Sequence, residues 1–153
     1  YEKLMHDLTS RGSLSQQILF TVTLDLNATQ RIIFDQMEGE LSLLGFQFEH
    51  HEGGEITVIG VPVGVKEGEV AIFIDQVIDD YKNDAPSSIY ERQEKIARSL
   101  SYSMCIKRTN GMSYGEMESI VTELFECASP SIAPNGKSTF IRIDIDELEK
   151  KFN

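Results

Sequence analysis

Cysteine and basic residues are scarce in this chain of 153 residues, and long hydrophobic runs are absent. Cys105 and Cys127 are too few for a disulfide framework and fall in helical patterns, which favours a reduced, cytoplasmic setting. Fourteen Lys and Arg against 25 Asp and Glu leave a net charge of -11. Phosphate contacts need cations in excess, so strong autonomous binding to DNA is disfavoured and any DNA contact is expected to be weak or indirect. Lys107-Arg108 is the best local basic pair. No apolar run approaches the about 20 residues that span a bilayer, so no membrane role is expected. The opening Tyr1-Glu2-Lys3-Leu4 is helix-interior in character rather than signal-like, as though continuing from a longer chain. There is no internal repeat and no low-complexity segment.

What is present is enough apolar content, 41%, for a real core in one domain or two small lobes. Leu4, Met5 and Leu8, stopped by Gly12, read as the end of a helix over residues 1–11. Ile18, Phe20, Val22, Leu24 and Leu26 alternate with polar neighbours and predict a strand with one apolar face, Leu19 pointing the other way. Asn27 is a natural N-cap for a helix from Ala28 to Leu44 with Ile33, Met37, Leu41 and Leu44 inward. Phe46 to His51 and Ile56 to Val61 predict a hairpin around Gly53-Gly54. A helix over 69–81 buries Val70, Phe73, Ile74, Val77 and Ile78, and a loop follows at Asn83 to Ser88.

The helix over 88–107 is expected to turn Ile89, Ile96, Leu100, Met104 and Cys105 inward. Ser113 and Glu116 have the spacing of a capping box, opening a helix through Cys127 whose buried stripe is Met117, Ile120, Val121, Leu124 and Phe125. Pro134-Asn135-Gly136 predicts a turn into an alternating strand that ends at Ile145, after which Asp146 caps a short helix. The fold class is α+β: a small antiparallel sheet packed with helices, and a mainly helical lobe with a C-terminal strand.

Several tempting features have ordinary explanations. Adjacent His50 and His51 on a strand point to opposite faces and do not suit one metal ion. Asp75, Asp79 and Asp80 read as a solvated helix face. The acidic residues Asp144, Asp146, Glu147 and Glu149 complement a helix start.

Three segments carry a family likeness. Ser15-Gln16-Gln17-Ile18-Leu19-Phe20 enters a strand; Ile106 to Ser113 precedes Glu116-Met117; Ala133-Pro134-Asn135-Gly136-Lys137-Ser138 enters the last alternating run. In order and spacing they resemble the C-terminal domain of the MutL mismatch-repair family over essentially the whole chain. They match its Ser-Gln-x-Leu-Leu-x-Pro segment, the stretch after its Ala-Cys-Lys motif, and its Cys-Pro-His-Gly-Arg-Pro turn. The resemblance implies an external lobe at 16–86 and an internal, dimerising lobe at 1–15 and 87–153, incomplete at its N-terminal strands. It further implies a homodimer, an upstream ATPase part using ATP and Mg, and a mismatch-recognition protein as a partner of the full protein. The family's metal ligands fall on Tyr102, Ala133 and Asn135, so no metal, no cofactor and no catalytic residue are expected in this domain.

Gln16-Gln17-Ile18-Leu19-Phe20 also fits Gln-x-x-Leu-Phe, the pattern of peptides that dock on the bacterial sliding clamp. Gln16, Ile18, Leu19 and Phe20 are therefore the clamp-binding candidates, against the plainer reading that they open a buried strand. Two other functions stay open. One is a metal-dependent endonuclease with a divergent site drawn from Glu2, Cys105 and the C-terminal carboxylates. The other is a small regulatory ligand-binding α+β domain, which an apolar pocket with a convergent polar group favours.

Overall fold

Ile56, Val58 and Val61 carry the most apolar strand of the chain, and it takes the centre of the sheet. The computed structural model describes residues 1–10, 14–105 and 111–152 and divides into two compact units, Tyr1–Lys107 and Arg108–Asn153. In the first, β1 (Ser15–Leu24), β2 (Gln47–His50) and β3 (Ile56–Pro62) form an antiparallel sheet in the order β1-β3-β2. Helices α1 (Glu2–Thr9), α2 (Ala28–Leu43), α3 (Val70–Asn83) and α4 (Ile89–Met104) complete it, with a 3-10 turn at Glu67–Glu69 before α3. The α+β class expected from the sequence is the one observed.

The helical stripes of α2 and α3 fall inward as their spacing dictates. Ile33, Met37, Leu41 and Leu44, and Val70, Phe73, Ile74, Val77 and Ile78, are all buried. Asn27 caps α2: its side chain accepts the Thr29 and Gln30 N–H groups, both at 3.0 Å, while Gln30 accepts the Asn27 N–H. Gly45 ends the helix at φ 100°, a conformation a Cβ would strain, and returns the chain to β2. Phe46 stacks on Phe73 at 5.4 Å and on Phe48 at 6.2 Å, and Phe48 meets the edge of Phe34 at 5.0 Å. These rings lock β2 to α2 and α3. The hairpin closes where the His51 N–H donates to the Glu55 carbonyl at 3.0 Å. Between α2 and α4, Arg92 donates to the nearly buried Glu40 carboxylate at 2.8 Å.

α4 departs from its expected stripe. Ile96 and Leu100 are buried with Ala97, but Ile89 is exposed, Met104 is only marginally covered, and Cys105 lies at the surface. The helix buries side chains only along its middle, and Met104 at its end lines an open cavity with Leu4, Leu14 and Val63. The Gly12 stop and the Lys107-Arg108 pair lie outside the described residues, as does the 106–110 part of the family-like segment.

The second unit holds α5 (Tyr114–Glu126) and α6 (Ile145–Glu149). The Ser113–Glu116 capping box is formed: Glu116 Oε2 accepts the Ser113 N–H at 2.8 Å, and Ser113 Oγ accepts the Glu116 N–H at 3.3 Å. The turn at Pro134-Asn135-Gly136 is also formed, with Gly136 at φ 80°. Two expectations are overturned here. Met117, Ile120, Val121 and Phe125 are exposed rather than buried, and no described residue of this unit is buried. The strand to Ile145 does not form: residues 140–144 have no ladder, and Ile132 and Ser138 make only an isolated bridge. Alternation supplies two faces but no neighbour, and a strand needs another backbone to bond. Accordingly α6 starts at Ile145 with Asp144, not Asp146, at its cap.

Candidate docking site on the first strand

β1 is an edge strand with a fault in its middle. Gln17 pairs with Gly60 and Val22 with Val58, so Ile18, Leu19, Phe20 and Thr21 stand opposite Ile59 alone. Gly60 sits at the fault, where side chains from both flanking strands approach it. A Cβ there would lie 2.9 Å from both Gln47 Oε1 and Ser15 Oγ, which close over it from the two flanking strands. The β2 register shifts at the same place, between Gln47 and Phe48.

The fault changes which side chains are offered to solvent. Ile18 turns inward and is 8% exposed, whereas Leu19 and Phe20 are 83% and 73% exposed. Simple alternation would have put Phe20 on the buried face with Ile18; the extra residues of the bulge carry it outward beside Leu19. The expectation that Ile18 joins a surface motif is corrected by the same observation, since it belongs to the core. Gln16 remains at the surface, its amide donating to the Val65 carbonyl at 3.4 Å. Leu19 has no register partner in β3, and its backbone N–H donates to Glu67 Oε1 at 3.1 Å. Glu67 was not foreseen from the sequence. The legible signal was Gly60 within an apolar strand, a common mark of a bulge.

The two adjacent histidines are held by different protein partners. His50 Nε2 meets Glu38 Oε1 at 2.7 Å, and His51 Nε2 meets Thr57 Oγ1 at 2.9 Å, so the adjacent rings diverge. Among the described residues no three His, Cys, Asp or Glu side chains are grouped to hold a metal ion. A cavity of about 530 Å³ in the first unit is walled by Leu4, Leu14, Pro62, Val63 and Met104, with Lys3 and Asp7 also lining it. No buried side-chain nitrogen or oxygen among the described residues lacks a hydrogen-bond partner. No described helix is long and apolar enough to cross a membrane.

Residues 1–110 match the family model of the MutL C terminal dimerisation domain. The chain belongs to that family. It is 32% identical to the DNA mismatch repair protein MutL of Christiangramia forsetii over 152 residues, 99% of this chain and 25% of that protein. Similar proteins of the same name occur in Flavobacterium johnsoniae, at 30% identity over 99% of this chain and 24% of the relative, and in Chlorobaculum tepidum, at 29% over the same shares. The chain thus spans about a quarter of the length of these relatives.

The three positions expected to match ligand motifs, two of them beyond the matched residues 1–110, offer poor donors. Tyr102 is an exposed phenol on α4. Ala133 has no side-chain lone pair, and its N–H is taken by the Lys137 carbonyl at 2.8 Å. Asn135 Oδ1 accepts the Lys137 N–H at 3.1 Å and serves to close its own turn. A phenol, a methyl and an engaged amide do not fit a zinc or manganese ion, which calls for thiolate, imidazole and carboxylate.

Proposed function

We propose that this chain is a non-catalytic coupling module of a MutL-type mismatch-repair protein, one that pairs with a second copy of itself and docks on the bacterial sliding clamp. The observation that carries the docking half is the bulge of β1, which places Leu19 and Phe20 together at the surface three and four residues after Gln16. A glutamine amide gives a polar subsite both donors and an acceptor. Burying Leu19 and Phe20 in an apolar groove is worth about 1.5–3 kcal/mol per side chain before ordering costs. The pairing half is supported by membership of the dimerisation family and by the uncovered apolar side chains of the second unit. In this reading residues 16–86 form the partner-facing lobe, while ATP and Mg act in an upstream part. The acidic surface leaves DNA to be reached through partners, such as a mismatch-recognition protein, in the cytoplasm.

Retention of the full protein on immobilised clamp tests the docking half. The Gln16→Ala plus Leu19→Ala protein is expected to be lost at clamp concentrations that hold wild type, and equal retention would end the reading. The donor-poor set at Tyr102, Ala133 and Asn135 leaves strand cutting to a partner nuclease. Manganese-dependent nicking of supercoiled plasmid by the full protein would instead establish the divergent endonuclease.

A further inference from the structure

Resting on the clamp-docking reading, we infer that Glu67 is the positioning residue of the β1 bulge, holding Leu19 and Phe20 in the outward arrangement that a partner groove receives. Four residues of β1 opposite one residue of β3 cannot all be satisfied by the ladder. On this exposed edge strand a spare amide hydrogen can be left to water, so an acceptor supplied by the protein is what holds the backbone in one arrangement. The Leu19 N–H finds the Glu67 carboxylate at 3.1 Å, a charge-assisted bond that is stronger than a neutral one.

Glu67 is well placed to act as a brace because its own backbone is anchored on both sides. Val65 before it is 6% exposed and Val70 after it is fully buried, so the 3-10 turn is tied to the core. The Val65 N–H bonds the Pro62 carbonyl at 3.1 Å, which fixes the turn that carries the chain from β3 to Glu67. On the strand side the neighbouring anchor is Ile18, buried at 8%. With the Ile18 side chain buried and the Leu19 amide bonded to Glu67, Leu19 and Phe20 both lie outward. A slip of one residue in a strand exchanges its inward and outward side chains, so an unbraced bulge can draw Phe20 back towards the sheet. The brace therefore works before any partner arrives, by removing an ordering cost from binding.

The test compares three variants of the full protein on the purified clamp, with amide exchange of the segment containing Leu19 followed alongside. Leu19→Ala plus Phe20→Ala probes the docking reading and is expected to abolish retention. Glu67→Ala removes the acceptor and is expected to weaken clamp binding by about three- to tenfold, the range of a single lost hydrogen bond, and to speed exchange at Leu19. Glu67→Gln keeps an acceptor oxygen but loses the charge, and is expected to fall between wild type and Glu67→Ala in both clamp binding and exchange. If the double variant binds like wild type, the docking reading fails. If the double variant is lost while Glu67→Ala binds as tightly as wild type, docking stands and the brace is overturned. Equal weakening by Glu67→Ala and Glu67→Gln overturns it too, because the acceptor would then be irrelevant.

Discussion

α3 and α5 are nearly the same kind of helix with opposite fates. Each carries five large apolar residues at helical spacing, in α3 Val70, Phe73, Ile74, Val77 and Ile78, and in α5 Met117, Ile120, Val121, Leu124 and Phe125. Those of α3 are all buried in the first unit, whereas none of those of α5 is buried. Periodicity tells which face of a helix is apolar, and it is silent on whether the rest of the chain can cover that face. The first unit has a sheet and three other helices to do so. The second has a turn, a short helix and the Phe125–Phe140 ring contact at 5.2 Å.

The comparison is broken most forcefully by truncating one ring in each unit. Phe46 is 1% exposed and stacks on two other rings, so Phe46→Ala should destabilise the protein by about 3–5 kcal/mol and lower Tm by more than about 10 °C. Phe125 is 58% exposed in a single copy, and Phe125→Ala should cost less than about 1 kcal/mol when both melts are run at concentrations too low for pairing. Similar losses from the two would mean that α5 is covered in solution as well as α3 is.

Self-association sharpens the contrast further. We expect the exposed apolar face of α5, which lies beyond the matched residues 1–110, to take part in pairing. Charging that face with Val121→Glu plus Phe125→Glu is expected to shift sedimentation towards monomer, raising the dimer Kd by about 30-fold or more. The melt of the first unit should not move. A dimer of undiminished affinity would remove α5 from the interface.

Much of the first unit was legible because its signals are local. Asn27 announces a helix start through a side chain that bonds the backbone three residues on, as Ser113 does in the second unit, and both capping boxes form. Gly53-Gly54 marks the hairpin, and the α2 and α3 stripes fall inward as spaced. What could not be read was non-local. The bulge of β1 is a matter of register against β3 near Gly60, which Gln47 and Ser15 approach from separate strands. The failure of 140–144 to form a strand depends on the lack of a partner edge among the described residues. Ile143 and Ile145 alternate convincingly in sequence, yet both stay exposed. At the docking site the residue types were legible, but alternation put Phe20 on the wrong face and gave no hint of Glu67.

The smallest expected effect separates the units by pH. Glu116, at the start of α5, is held below the usual carboxyl value of 4.5 by the hydrogen bonds it accepts from the Ser113 N–H and hydroxyl. Glu91, at the start of α4, is lowered for the same reason by the Ser87 N–H and hydroxyl. A carboxyl whose folded pKa is depressed contributes stability that is complete above its unfolded value and is lost as pH falls through the folded value. Neither helix start should therefore change between pH 7 and 5, and both caps should weaken below 4.5. The consequences differ because α4 is pinned in the core by Ile96, Ala97 and Leu100, while α5 has no buried residue to hold it. Amide exchange in acid should accelerate in the first turn of α5 well before that of α4. Glu116→Gln should remove that acid dependence while keeping the cap, since Gln30 already plays this part opposite Asn27 in α2. Equal acid sensitivity of the two helix starts would show that core anchoring does not govern how far a lost cap is felt.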